Sequence, residues 1–424
     1  MKYSTLFVLL FSLGLFAQTN YTSYFTGNSI DIVTQPMGGM CMMGGATEDD
    51  NAMIWFLQQA NGGDILVLRA SGSDGYNDYL YSDLGVPVNS VETIVFSNAS
   101  ASSESYVHER IRQAEAIWFA GGDQWDYISY WQNTPVDSLI NIALDQRNIV
   151  IGGTSAGMAI LGGHRFTAQN GTVTSDAALS DPYNTDVQIG SDAFLDLPIM
   201  SDVITDSHYD DPDRKGRHFT FLARILTDQG VEAKGIACNE YTAVCVGEDG
   251  IAHVYGGYPT YDEFAYFLRV DCNNPTVPQQ CEPSIPLTWN LNGLAVKAFK
   301  APGVPTGATT FDLNTWQEGS GGSWEDWTAV SGILNTTPTA PISCAVGSSE
   351  LGDDHITLYN TYAGVVLKGI DDRSYIEMTD VSGRKVPFTY RLQMDETLVT
   401  SDSEGLLLVR VLHHSRWTTW KVLR

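Results

Sequence analysis

Ser155 stands in Gly153-Thr154-Ser155-Ala156-Gly157, directly after the apolar run Ile149-Val150-Ile151. A serine between small residues, after a strand-like run and before helix-compatible residues, has the pattern of a nucleophile elbow. Such a turn is sharp, so its flanks carry little or no side chain. The helix that follows aims backbone N–H groups at the turn, where they can stabilise an oxyanion. The chemistry expected of that arrangement is acyl transfer. Taken alone, the same residues also describe a tight βα turn that happens to hold a serine.

A serine nucleophile needs a base, and the base needs an orienting acid. Of the 8 histidines, His355, His413 and His414 belong to a β-like C-terminal stretch. His208 lies in Ile204-Thr205-Asp206-Ser207-His208-Tyr209-Asp210-Asp211, just past an apolar strand-like run, and is the candidate base. The chain order serine, acid, histidine asks for a carboxylate between the two. Asp176, Asp181, Asp186, Asp192, Asp196, Asp202 and Asp206 all qualify, and the residues themselves do not choose among them. A second glycine loop, Gly121-Gly122-Asp123-Gln124, follows the strand-like Ala116-Ile117-Trp118-Phe119-Ala120. It reads as half of an oxyanion hole with a polar substrate contact, or as a βα turn whose Asp123 caps the next helix. Neither this loop nor Met37-Gly38-Gly39-Met40 and Met43-Gly44-Gly45 is a dinucleotide fingerprint, so no cofactor is expected.

The elements that must hold these residues alternate from about 28 to 163. A helix is expected over 48–60. Nearly continuous apolar strands are expected at 64–69, 91–96, 116–120 and 148–151, the signature of a mostly parallel sheet covered on both faces. Ligands bind at the carboxyl ends of such strands, where Ser155 and Gly121 fall. Residues 170–213 read as loops around a site, 216–229 as a helix, and 235–255 as paired strands turning at Glu248-Asp249-Gly250. Residues 303–332, rich in Gly, Thr and Trp, read as loop. The expected architecture is an α/β, doubly wound, mostly parallel sheet followed by a small all-β domain. Its boundaries are 1–18 for a leader, 19–342 for the catalytic region, 343–354 for a linker and 355–424 for a β-sandwich-like tail.

The 424 residues carry a formal net charge of −27, which argues against nucleic-acid binding, since phosphate contacts need clustered Lys and Arg. Lys2 followed by the apolar stretch from Leu6 to Phe16 reads as a secretory signal peptide, too short to span a membrane. No later stretch is long and apolar enough to do so. An exported chain permits disulfides among its 6 cysteines. Cys272 and Cys281, flanking a short polar loop, are the favoured pair; Cys238 and Cys245 face each other across strands or are simply buried. No Cys or His spacing suggests a zinc site, so no metal is expected.

Taken in order, these motifs resemble the cyanophycinase-like serine peptidases, peptidase family S51, whose fold is similar to class I glutamine amidotransferases. Gly121-Gly122-Asp123-Gln124 resembles the family's G-G-D-Q, and Gly153-Thr154-Ser155-Ala156-Gly157 its G-T-S-A-G, with the serine as nucleophile. Asp206-Ser207-His208 resembles its D-Q-H, Arg214 and Arg217 the later part of its arginine run, and Gly235-Ile236-Ala237-Cys238-Asn239-Glu240-Tyr241-Thr242-Ala243 its G-I-G-I-D-E-D-T-A. The resemblance implies Ser155, His208 and an acid after the serine, for which Asp176 is the nearest equivalent. It implies an oxyanion hole from Gly122 and Ala156, and substrate contacts from Gln124, Asp206, Arg214 and Arg217. Ser207 and Pro212 replace a glutamine and an arginine of the family pattern, so cyanophycin itself is not carried over as substrate. The tail, with Asp380-Val381-Ser382-Gly383-Arg384-Lys385-Val386 and Trp420-Lys421-Val422-Leu423-Arg424, resembles a type IX secretion sorting domain of Bacteroidetes. It implies the type IX machinery as partner and a secreted or cell-surface location. The function expected is hydrolysis of a peptide or isopeptide bond in an exopeptidase-like manner, with a homodimer left open. An esterase or amidase on the same elbow, and an inactive surface-binding protein, are the rival readings; a glutamine amidotransferase would use cysteine where Ser155 stands.

Overall fold

In the computed structural model the chain forms two compact units, Met1–Cys344 and Ala345–Arg424. The structure describes residues 19–342 except 193 and 273–275, residue 344, and the segments 357–361, 364–368, 374–380, 384–393, 396–401, 406–413 and 416–423. The expected leader, and the expected linker apart from Cys344, lie outside the described residues.

The strands of the first unit, in chain order, are β1 (Tyr21–Gly27), β2 (Met40–Met43), β3 (Asp64–Arg69), β4 (Ser90–Phe96), β5 (Ala116–Phe119), β6 (Val150–Thr154), β7 (Arg165–Phe166), β8 (Ile189–Gly190) and β9 (Val203–Asp206). They continue with β10 (Lys234–Cys238), β11 (Ala243–Val246), β12 (Ile251–Tyr255), β13 (Phe264–Val270), β14 (Val296–Pro302), β15 (Thr309–Asp312), β16 (Gly319–Ser320), β17 (Ser323–Val330) and β18 (Ile333–Thr339). A 10-stranded sheet runs β1-β4-β3-β5-β6-β2-β11-β12-β15-β16. Its middle, β4-β3-β5-β6-β2, is parallel. Its flanks are antiparallel, so the sheet is mixed where a mostly parallel one was expected. A 6-stranded sheet runs β18-β17-β14-β13-β10-β9, with β9 and β10 parallel.

Apolar residues fill both faces of the parallel middle, which is why its strands read as unbroken runs. Ile65 and Val67 point to the side of helix α1 (Asp50–Gln59), where Met53, Phe56 and Trp118 pack. Leu66 and Leu68 point to the side of α2 (Ser105–Gln113), α3 (Gln124–Trp131) and α4 (Pro135–Arg147), joining Ile111, Trp131 and Ile140. The helix starts follow local chemistry: the Asp49, Asp123 and Thr134 side chains cap α1, α3 and α4. Two short helices, α5 (Ala156–Ala159) and α6 (Ser175–Ser180), precede the long α7 (Lys215–Gln229). The last buries Phe219, Leu222 and Ile225 against Ile204, Leu268 and Trp327.

Two expectations are corrected. Residues 303–332 hold β15, β16 and β17 rather than loop. Trp324 and Trp327 are buried from β17, which pairs on both edges, while the glycines at 319–322 make the approach and turn between strands. Cys272 bonds Cys344, not Cys281; the latter is a free, buried thiol in the core beneath α7. Cys245 faces Cys41 across the β2–β11 pair, and Cys238 is buried in the other sheet.

In the second unit, Thr357–Thr361, Gly364–Lys368, Thr389–Gln393 and Glu396–Thr400 form a 4-stranded sheet. Tyr375–Asp380, Leu406–His413 and Arg416–Leu423 form a 3-stranded one. Val365, Leu367, Met378, Val409 and Val411 lie in the core between them.

Candidate active site

Strand β6 ends in the turn that carries Ser155. Its backbone sits at φ 54°, ψ −114°, a conformation that costs of order 1–3 kcal/mol and persists only where surroundings impose it. The surroundings are close: a Cβ on Gly157 would stand 2.1 Å from the Phe119 carbonyl oxygen, so only glycine lets α5 approach β5. The Ser155 N–H donates to the Met43 carbonyl (3.0 Å), and its own carbonyl accepts from Ala159 N (3.0 Å).

His208 follows β9 with φ 47°, and its N–H donates to the Gly44 carbonyl at 2.7 Å. A Cβ on Gly45 would lie 2.4 Å from the His208 ring, so this glycine lets the backbone lie flat against the imidazole. His208 Nε2 stands 2.8 Å from Ser155 Oγ, and His208 Nδ1 stands 2.6 Å from Glu240 Oε1. With Nδ1–H donating to the carboxylate, Nε2 is the acceptor for the serine hydroxyl, the tautomer a general base requires. Glu240 lies in the turn between β10 and β11, and its N–H donates to Asp210 Oδ1 (2.9 Å). The Tyr241 N–H donates to the Gly45 carbonyl (3.1 Å), so one glycine loop braces both the histidine and the acid.

The carboxylate at the histidine is therefore Glu240, and Asp176 is corrected: it is exposed in the first turn of α6. Glu240 was within reach of the sequence, inside the stretch 235–243 that resembles a family motif. The assumed order serine, acid, histidine hid it, because here the acid comes last in the chain.

A cavity of about 220 Å³ opens beside Ser155. Gly122, Gln124, Ala156, Asp206, Arg214 and Arg217 all line it, so the fold gathers the other expected site residues there. Their bonding separates them. Asp206 and Arg217 form a buried ion pair (Nε–Oδ2 2.9 Å, Nη2–Oδ1 2.5 Å). Arg217 Nη1 also donates to Thr172 Oγ1 and the Val173 carbonyl. A guanidinium has five N–H donors, so at most one is left for anything else. Burial opposes ionisation of Asp206, but the Arg217 guanidinium outweighs it and holds the carboxyl below its usual range. These two residues build the wall instead of reaching for a substrate. Arg214 differs: Nη1 donates to the Ser207 carbonyl (2.9 Å), while its buried Nε has no acceptor among the described residues. Burial and the neighbouring Arg217 lower its pKa. Gln124 donates to the Phe166 carbonyl (3.2 Å), and Asp123 caps α3, as the plainer reading of that loop had it. Among the described residues no group of His, Cys, Asp and Glu could hold a metal ion, and no helix is long and apolar enough to cross a membrane.

This geometry lies within a stretch with known relatives. Residues 74–254, which include Ser155, His208 and Glu240, match Peptidase family S51. The cyanophycinase of Synechococcus elongatus is 23% identical over 254 residues, 56% of this chain and 73% of that protein. The cyanophycinase of Geminocystis herdmanii is 27% identical over 148 residues, 35% of this chain and 48% of that one. A peptidase structure from an acI-B1 actinobacterium is 16% identical, covering 53% of this chain and 89% of its own, with a TM-score of 0.39. The likeness in sequence supports a peptidase or related hydrolase, similar to the cyanophycinases.

Proposed function

We propose that the chain is a secreted serine hydrolase that cleaves a peptide or isopeptide bond through Ser155, His208 and Glu240. The observation that carries the reading is the continuous chain of bonds from Ser155 Oγ through the imidazole to Glu240. It begins at a serine held in a strained turn at the floor of a cavity. Ser155 Oγ attacks the substrate carbonyl while His208 Nε2 takes the proton. Glu240 steadies the imidazolium that forms, and His208 returns the proton to the leaving amine. Water then repeats the sequence on the acyl-enzyme. Because the Ser155 carbonyl turns down α5 to Ala159, the Ala156 N–H across the same trans peptide turns the other way, toward the cavity. Gly122 N–H supplies the second oxyanion donor, each worth about 3–4 kcal/mol of barrier. Gln124 and Arg214, which line the cavity, meet the polar part of the substrate. Export uses the leader and, through the C-terminal unit, the type IX machinery.

The test is hydrolysis of a dipeptide and isopeptide library by wild type and Ser155→Ala, with fluorophosphonate labelling alongside. Loss of turnover by about 10⁴-fold or more is expected, given what removing the nucleophile of a triad costs, and labelling should vanish. Equal rates sink the reading. Faster turnover of acyl esters than of any peptide favours the esterase alternative. A wild-type chain that binds peptide without turnover or labelling favours a binding protein.

A further inference from the structure

Gly121 and Gly122 are two successive glycines, and nothing in their own chemistry fixes the peptide between them. Yet that peptide adjoins the nucleophile: a Cβ on Gly121 would lie 3.7 Å from Ser155 Cβ, and Gly122 lines the cavity. What holds it is a phenol. The Tyr127 hydroxyl lies 2.9 Å from the Ala120 carbonyl and 3.0 Å from the Gly121 carbonyl, donating between them. In a trans peptide the N–H points opposite the C=O. With the Gly121 carbonyl turned to the phenol, the Gly122 N–H is turned away from it.

We propose that Tyr127 is a positioning residue of the oxyanion site, holding the Gly121–Gly122 peptide with its N–H toward Ser155. The role rests on the serine hydrolase reading above. Tyr127 itself is rigid: it is fully buried on α3 and stacks on Trp131 with ring centroids 4.5 Å apart and planes 11° apart. The side chains of a helix lean toward its N-terminus, so a tyrosine one turn in reaches back over the loop that starts the helix. Asp123, which caps α3 by accepting from Trp125 N at 2.8 Å, fixes where that helix begins relative to the glycines. Burial raises the phenol's pKa, so the group stays protonated and remains a donor. The loop, the cap and the tyrosine thus form one local device in which Gly122, and not the tyrosine, lines the cavity.

The test compares wild type, Tyr127→Phe and Ser155→Ala on p-nitrophenyl acetate, with phenylboronic acid as an inhibitor that becomes tetrahedral on the serine. Tyr127→Phe is expected to lower kcat about tenfold at unchanged KM, part of the roughly 10²–10³ that outright loss of an oxyanion donor costs. Its Ki for the boronate should rise by a similar factor, while circular dichroism and the unfolding midpoint show a folded protein. A second variant approaches from the other side: a Cβ on Gly122 would stand 2.7 Å from the Tyr127 hydroxyl oxygen, so Gly122→Ala must disturb the same contact. Its loss in kcat should be smaller in the Tyr127→Phe background than in wild type. Turnover by Tyr127→Phe within twofold of wild type, or a loss that only tracks the unfolded fraction, overturns the role. A wild type no faster than Ser155→Ala on the ester and on the dipeptide and isopeptide library alike removes the hydrolase reading and the role together, a signature distinct from either of those.

Discussion

The carboxyl and amino ends of the strands in the first unit partner their acidic residues differently. At the carboxyl ends of the strands the carboxylates have matched partners: the buried Asp206 takes two bonds from Arg217, and the half-buried Glu240 accepts from His208 Nδ1 at 2.6 Å. At the amino ends Asp31, Asp64 and Glu115 crowd together, and the cation near Glu115, Arg147, stands 3.8 Å away. Burial is the larger cause there. It raises Asp31, pushes Glu115 up to about 7, and lowers Arg147. The Arg217 guanidinium, with two bonds to Asp206, holds that carboxyl low, whereas at Glu115 burial outweighs one backbone N–H and a cation 3.8 Å away, and the carboxyl rises. The end with matched charges is the end with the strained serine and the cavity.

The sharpest way to break that contrast is to remove the match at Glu240. Glu240→Gln should lower kcat/KM by about 10²–10⁴-fold, the range for a triad acid whose loss permits the wrong imidazole tautomer. Asp176→Asn, on the exposed face of α6, should stay within twofold of wild type. Kinetics on the best substrate of the dipeptide library measure both. A large loss at Asp176 with little at Glu240 would reverse the assignment.

That pair also marks where sequence reading stops. Ser155 and His208 were legible because each carries its signal in its neighbours: small residues around a serine, an apolar run before a polar loop. Glu240 lies in the stretch 235–243 that resembles a family motif, but nothing in that stretch names its role, which is a contact with a histidine 32 residues earlier in the chain. The sequence presents Asp206 and Arg217 as substrate contacts, because a residue that lines a site and one that is spent holding its wall look alike until burial is known. The strands β3, β5 and β6 showed themselves by unbroken apolar runs. β15 and β17 did not, because glycines and tryptophans interrupt the alternation and the pairing lies across the chain. The partner of Cys272 is 72 residues away, beyond anything a short loop between cysteines could suggest.

Removing one half of the Asp206–Arg217 pair should cost stability rather than chemistry alone. Asp206→Asn leaves a guanidinium 3% exposed without its counter-charge. Breaking such a pair typically costs about 3–5 kcal/mol. Urea unfolding at pH 7 should show it as a lower midpoint at unchanged slope. The double change Asp206→Leu with Arg217→Met should recover part of the loss, since no lone charge then remains. A single-variant cost below about 1 kcal/mol, the value of an exposed pair, would mean the carboxyl ends of the strands are no better matched than the amino ends.

The smallest effect is expected at the unmatched end. Glu115→Gln keeps an oxygen for the Asp64 N–H, which Glu115 Oε2 now accepts at 2.8 Å, and removes the ability to ionise. In the unfolded chain the carboxyl titrates near 4.5, and in the folded one near 7, so between those values the folded state holds the extra proton. Stability from this group is therefore fully present below about 4.5 and is lost as pH rises through about 7. His218 works in the other sense: burial lowers it to about 4, and its contribution is lost as pH falls from about 6.5 toward that value. Both proteins carry His218, so it cancels in their difference. Wild type and Glu115→Gln should be equally stable in urea at pH 4.5, and the variant should be ahead by roughly 1–3 kcal/mol at pH 8. If the variant is instead the weaker at pH 8, Arg147 holds Glu115 ionised after all, and the carboxyl and amino ends of the strands follow one rule.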